Sequence, residues 1–230
     1  MSEIIYGTNL VASAILNKIK IYNLKISGNN TVRELAEKRK IPYTIVLKNE
    51  LNRITSNHQG AVAEVESFPT YSLEAIISTE KNLIVALDGI EDPHNLGAIL
   101  RTADAAGVSG IILPKNRSVR LNGTVARVST GAIFSVKCVL VPNLVSTLKK
   151  LKDYGYWIYG AEATKESLCY SEAKYDPKTV LVLGSEGKGL SRLTKETCDF
   201  LVEIPMSGSV NSLNVSVSAG ILIYQIINQQ

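Results

Sequence analysis

The stretch Ile204–Gly220, IPMSGSVNSLNVSVSAG, decides how this chain is read. An apolar run is interrupted repeatedly by Ser and Asn, which are mediocre helix formers and costly to bury without partners. A helix built only to fill a core would place Leu, Ala and Ile there. The pattern predicts a helix over 211–227. Ser212 and Asn214, two positions apart, would stand about 200° apart on it, so both face one site only at the helix entrance. Ser209, Ser212, Ser216, Ser218, Ala219 and Gly220 are small enough to admit another backbone segment or a ligand. A capped, tightly packed helix is the plainer reading, and it demands the same close approach.

Immediately upstream, Leu181–Ser191 reads LVLGSEGKGLS, an apolar strand running into three glycines. In a parallel sheet, ligand loops sit at the carboxyl ends of strands. A P-loop is excluded, because Val182 stands where its first Gly belongs and Gly189 where Ser or Thr should follow Lys188. The order G-x-x-G-x-G is not the dinucleotide fingerprint either, and a tight turn needing positive φ is the simple alternative. Glu186, between glycines at a strand tip, has no amphipathic face to serve. It is free to orient a hydroxyl, to pair with an Arg, or to be solvated.

Further upstream, LDGIEDPHNLGAILRTADAAG contains a helix opened by Pro93 and Asn95 and stopped by Gly107. Leu96, Ile99, Leu100 and Ala103 share a face. Asn95 fits an N-cap. Arg101 lies in an otherwise apolar and small-residue helix, where it either points along the axis toward the N-terminal end or pairs with Asp104 at i+3.

The remaining segments supply the frame. LIVALDGI, GIILP, SVKCVLV, YWIYGAE, TVLVLGSE and FLVEIPM read as strands separated by helices, which predicts an α/β domain over 83–230 with a mostly parallel sheet and helices on both faces. Residues 1–70 read as a small α/β domain: IYNLKIS and YTIVLK are strands, GAVAEVE closes it, and TVRELAEKRK is a helix. Thr31 and Glu34 there have capping-box spacing, with Val32, Leu35 and Ala36 on one face. A linker with a short helix covers 71–82.

With 45% hydrophobic and 20% charged residues, the chain is globular rather than disordered. The formal net charge of +4 is compatible with a polyanionic partner without requiring one. Cys138, Cys169 and Cys198 are odd in number and widely spaced, so a disulfide framework and a zinc site are both disfavoured and a cytoplasmic location is expected. The N-terminus has no secretory signal pattern and no apolar run has the length a bilayer requires.

Taken together, three segments resemble the SpoU family, the TrmH-like RNA ribose 2'-O-methyltransferases of the SPOUT superfamily. Asn95 with Arg101 six residues later matches the first motif, LVLGSEGKGL the second, and Ile204–Val217 the third without departure. IYGTN near the start and HQG at His58–Gly60 resemble the ribosomal-protein-like substrate-binding domain of members acting on large-subunit ribosomal RNA. The resemblance implies a deep trefoil knot in the sheet domain, with S-adenosylmethionine bound in it at Gly184, Ile204 and Leu213 and with Glu186, Gly187 and Met206 close by. It implies a homodimer through this domain, with each site completed across the interface and no membrane partner. The expected substrate is structured RNA, foremost a guanosine of large-subunit ribosomal RNA. The alternatives are a transfer RNA or a non-catalytic ribosome-assembly factor.

By the same resemblance Arg101, Asn95, Glu186, Ser212 and Asn214 carry the chemistry. Glu186 would orient Arg101 or the cofactor, Asn95 and Asn214 would hold the arginine and ribose, and Ser212 would hydrogen-bond at the entrance. An Arg is effectively never deprotonated in proteins, so a phosphate clamp that stabilises developing alkoxide charge is an alternative to a general base. No metal is expected, because the leaving group is a neutral thioether. In the N-terminal domain Arg33, Lys38, Arg39, Lys40 and Arg53 are candidate RNA contacts or simply a solvated face.

Overall fold

The computed structural model of the protein describes residues 2–77 and 83–230. The expected linker therefore lies in part, over 78–82, outside the described residues. The first unit contains β1 (Ser2–Tyr6), α1 (Thr8–Leu16), β2 (Ile21–Ile26), α2 (Asn30–Lys38), β3 (Thr44–Ile45), α3 (Lys48–Asn52) and β4 (Ala61–Glu66). Its sheet runs β1-β4-β2-β3, with β4 antiparallel to both neighbours. The strand expected to close this domain, β4, is its last in the chain and lies inside the sheet; it is buried at most positions, which suits its Ala and Val run. Helix α2 is capped by Asn29, whose side chain accepts from the Val32 amide, and not by Thr31. The earlier residue wins because Asn is the stronger cap.

After α4 (Glu74–Ile77) come β5 (Leu83–Asp88), α5 (Pro93–Ala106), β6 (Gly110–Pro114), α6 (Gly123–Val128), β7 (Cys138–Val141), α7 (Leu144–Asp153), β8 (Trp157–Ala161), β9 (Leu168–Cys169), β10 (Thr179–Gly184), α8 (Arg192–Thr197), β11 (Phe200–Glu203) and α9 (Val215–Gln229). The strands form one sheet in the order β7-β6-β5-β10-β8-β11-β9, parallel throughout. The two-residue β9 is too short to leave a periodic signal in the sequence. Strand β10 inserts between β5 and β8, both laid down earlier in the chain. A threaded C-terminal end requires a crossover of this kind.

Alternate residues of the strands serve opposite faces. Val85, Leu87, Leu181 and Leu183 pack with α5 and α9, while Ile84, Ala86, Val180 and Val182 pack with Ile76 of α4 and Leu144, Leu148 and Leu151 of α7. Burial on both sides explains why these strands read as unbroken apolar runs. Helix α9 begins at Val215, after Asn214, rather than at 211. Its Val215, Ala219, Leu222, Ile223 and Ile226 are buried, and each fully buried Leu or Ile contributes about 1.5–3 kcal/mol.

The two units share one apolar core, in which Leu10 and Val11 of α1 and Ala132 and Phe134 of a 3-10 turn (Ala132–Phe134) belong to the same cluster. Ser13 Oγ donates to the Gly131 carbonyl at 3.1 Å, and Arg127 donates to the Tyr6 hydroxyl at 3.1 Å. Among the described residues no helix is long and apolar enough to cross a membrane.

Candidate active site

Strand β10 ends at Gly184, and the chain turns through Ser185 to Gly189. The backbones of these two residues exchange hydrogen bonds, Ser185 N–H to Gly189 O at 3.1 Å and Gly189 N–H to Ser185 O at 2.9 Å. Gly189 has φ +64° and Gly187 φ +78°, the left-handed region that favours glycine. A Cβ on Gly184 would overlap the backbone of Gly189 and Leu190, so no other residue fits.

Two carboxylates fix this loop from outside. Glu162, just after β8, accepts the Leu190 amide at 2.9 Å through one oxygen and pairs with Lys195 Nζ at 2.7 Å through the other. Asp88, at the end of β5, accepts the Ser191 amide at 2.8 Å. The sequence motifs do not single out either residue. Their one signal is a carboxylate at the carboxyl end of a buried parallel strand.

Beside the loop lies a cavity of about 300 Å³. Gly184, Glu186, Gly187, Ile204, Met206 and Leu213 all line it, as does Ser212. Segments distant in sequence meet here because β10 and β11 flank β8 in the sheet and both end on the same side. Leu183, Val202, Val215 and Leu222 add apolar surface, and Glu162, Glu203, Asn211 and Ser218 add polar atoms.

Asn95 and Asn214 join this cavity through Glu186. Asn95 Nδ2 donates to Glu186 Oε2 at 3.3 Å, while Asn214 Nδ2 donates to Asn95 Oδ1 at 2.9 Å and lies 3.5 Å from Glu186 Oε1. Asn214 also caps α9: its Oδ1 accepts from the Ser216 amide at 2.9 Å and from the Ser216 hydroxyl at 2.6 Å. Ser212 and Asn214 therefore both stand at the helix entrance.

Asn95 does not cap α5. Asp92 does, accepting from the His94 amide at 2.8 Å, with Pro93 in the first turn. This puts Asn95 inside that turn, only 6% exposed, with its amide free to reach Glu186. Arg101 is not brought to this cluster within one chain. Six residues of helix separate it from Asn95 by about 9 Å along the axis and about 120° around it. Arg101 is exposed, and among the described residues its guanidinium has no polar partner. The alternative reading, a pair with Asp104, does not form; Asp104 instead accepts from Ser135 Oγ at 2.7 Å. Glu186 likewise bonds the two asparagines and not Arg101.

All three cysteines are free, and burial pushes the Cys138 and Cys198 thiols up to about 12. Both stay protonated and inert at neutral pH. Among the described residues no group of His, Cys, Asp and Glu could hold a metal ion.

Comparison with known proteins agrees with this geometry. Residues 82–224 match the SpoU rRNA Methylase family, and residues 4–71 match the RNA 2'-O ribose methyltransferase substrate-binding family. A TrmH family protein of the tRNA/rRNA methyltransferase class from Staphylococcus saprophyticus is 44% identical, covering 100% of this chain and 97% of its own. Among solved structures, an AdoMet-bound rRNA methyltransferase from Sinorhizobium meliloti superposes with a TM-score of 0.85 at 29% identity, covering 99% of this chain and 87% of that one. A TrmH/SpoU tRNA-modifying enzyme from A. aeolicus has a TM-score of 0.60 at 35% identity, covering 68% of this chain and 79% of that one.

The cofactor of this family is S-adenosylmethionine. The chemistry of the lining is compatible with it: bare backbone at Gly184, apolar side chains at Leu183 and Leu222, and carboxylates at Glu186 and Glu203 are the kinds of groups that an adenine ring and a cationic sulfonium require. The motifs, the parallel sheet, the cavity and the full-length relatives converge, and the chain belongs to the SpoU/TrmH family of RNA methyltransferases.

Proposed function

We propose that this protein methylates a ribose 2'-hydroxyl, that of a guanosine in large-subunit ribosomal RNA, as a cytoplasmic homodimer. The observation that carries the ribosomal reading is coverage. The rRNA methyltransferase from S. meliloti overlaps 99% of the chain, N-terminal domain included, whereas the tRNA-modifying enzyme from A. aeolicus overlaps 68%. Domain boundaries at 1–70 and 83–230, with a linker between, accord with the two family matches.

S-adenosylmethionine supplies a methyl group on a sulfonium, a leaving group that departs as a neutral thioether. Gly184, Gly187, Ile204, Met206 and Leu213 hold it through the cavity wall. Glu186, oriented by Asn95 and Asn214, fixes the polar rim. Ser212, at the rim and without a polar partner among the described residues, hydrogen-bonds the incoming ribose.

Arg101 clamps an RNA phosphate and stabilises the alkoxide charge that develops as the 2'-hydroxyl gives its proton to solvent water and attacks, with positioning supplying much of the rate. Its distance from Asn95 on α5 supports a site completed by a second copy of the chain. Val217 and Tyr224, seven residues apart on α9 and each nearly half exposed, give that copy an apolar stripe to cover. The trefoil knot belongs to the same reading, and the insertion of β10 between β5 and β8 is compatible with it.

Tritium transfer from labelled S-adenosylmethionine to unmodified ribosomal and transfer RNA, followed by nucleoside analysis, tests the proposal. Label in 2'-O-methylguanosine of large-subunit RNA is the expected result. Label confined to transfer RNA would replace the substrate, and failure to bind S-adenosylhomocysteine would overturn the enzymatic reading.

A further inference from the structure

The glycine loop has a second side. Beyond it lies a groove of about 440 Å³, between the loop and the carboxyl ends of β5, β6 and β7. Ser185 and Gly189 line both this groove and the cofactor cavity, so one turn of backbone separates them. The far wall is the segment after β6, which contributes Asn116 and Arg117, and the near wall contributes Lys188.

Three observations set the groove apart from an ordinary surface crevice. First, the side chains of Arg117, Lys188 and Asn116 have no polar partner among the described residues, although the acidic lining residue Asp88 is engaged by the Ser191 amide. Second, Arg117 adopts φ +55°, a left-handed conformation that costs a non-glycine residue free energy. Third, the segment is anchored on both flanks. Lys115 N–H bonds Val141 O at 2.8 Å on one side, and Val119 N–H bonds Ile90 O at 2.8 Å on the other. The fold thus holds a cation in a strained position at the wall of a groove that adjoins the cofactor cavity.

We infer that this groove is a substrate subsite for the phosphodiester and ribose of a nucleotide adjacent to the methylated one, with Arg117 and Lys188 straddling the backbone. The inference rests on the RNA methyltransferase reading, since it assigns the groove to the same RNA strand that presents the reacting hydroxyl. Its volume suits a single nucleotide. Two unpaired cations on opposite walls suit a phosphate, which an Arg fork recognises with two parallel hydrogen bonds. Glu91, a second carboxylate in the lining, is an acceptor for a ribose hydroxyl.

The test measures binding of an unmodified large-subunit ribosomal RNA transcript by filter retention across a salt series, for the full chain and for Arg117→Gly, Arg117→Lys and Lys188→Gln. Glycine is at ease at this φ, so Arg117→Gly removes the cation while relieving the left-handed strain, which offsets the entropy that glycine adds to the unfolded chain. The expected result is RNA affinity lowered about tenfold in Arg117→Gly and in Lys188→Gln. Each should show a salt slope shallower by about one counterion, as expected when one cation no longer neutralises a phosphate. Arg117→Lys should recover part of the affinity, and S-adenosylhomocysteine affinity should stay within twofold of the parent in all three.

Unchanged RNA affinity and slope in both charge-removing variants, in a protein that still transfers methyl groups to RNA, would overturn the groove and leave the enzymatic reading intact. A parent protein that binds S-adenosylhomocysteine but neither the transcript nor unmodified transfer RNA would likewise overturn it. Failure of the parent itself to bind S-adenosylhomocysteine would instead remove the methyltransferase reading, and this subsite with it.

Discussion

The loop after β10 closes on itself through the Ser185–Gly189 pair and is tied down by Glu162 and Asp88, whereas the loop after β11 has none of this bracing. Among the described residues, no backbone amide of 205–213 donates to another backbone group, and most of that segment is exposed. Both loops wall the same cavity. One is a preformed cradle whose shape is set by glycines and outside carboxylates. The other is held only at its ends, by β11 and by the Asn214 cap of α9, and is free to adapt to what enters. One cavity is thus walled by a braced loop and an unbraced one.

The largest expected effect separates holding from chemistry. Arg101→Lys replaces a planar fork with a point charge and should lower turnover about 1,000-fold, close to 4 kcal/mol in the barrier, with S-adenosylhomocysteine affinity within twofold. Near-parental turnover in single-turnover assays would break the clamp assignment. Next, Gly184→Ala forces a methyl group into the backbone of Gly189 and Leu190. A braced loop cannot yield, so S-adenosylhomocysteine affinity should fall at least about 100-fold by calorimetry, or about 2.7 kcal/mol. A variant that folds and binds like the parent would mean that the bracing does not shape the cavity.

Glu162→Gln keeps an acceptor for the Leu190 amide but removes the charge opposite Lys195, whose side chain is 35% exposed. Solvent screening limits the loss, and a drop of about fivefold in S-adenosylhomocysteine affinity is expected. No change would place the pair outside the loop's support. The smallest effect distinguishes the two loops directly. By hydrogen-exchange mass spectrometry, peptides over 205–213 should exchange fast and slow on adding S-adenosylhomocysteine, while peptides over 184–190 should be protected from the outset and change little. Equal behaviour of the two loops would erase the contrast.

Much of the candidate site was legible because its residues are local in sequence. Gly184, Gly187 and Glu186 are read from one strand and its turn, and Ser212 with Asn214 from one helix entrance. The glycine that ends α5 is equally local, since Gly107 takes φ +68° at its C-cap. Capping was less legible. Asp92 and Asn95 are both good caps three residues apart, and Asn29 and Thr31 both stand at the start of a helix, so propensity alone does not choose between neighbours.

By itself the sequence determined the alternation of apolar strands and helices, the glycine loop, the small-residue entrance to α9 and the family to which they belong. Apolar periodicity and backbone sterics act over a few residues and leave their mark in the order of residue types. Only the tertiary structure decided that Glu186 is held by Asn95 and Asn214, that Glu162 and Asp88 brace the glycine loop, and that Arg101 lies away from the site its own chain builds. Those outcomes depend on β10 inserting between β5 and β8 and on which strand ends then become neighbours. Strand order is set by the packing of whole elements, and no local run of residues records it.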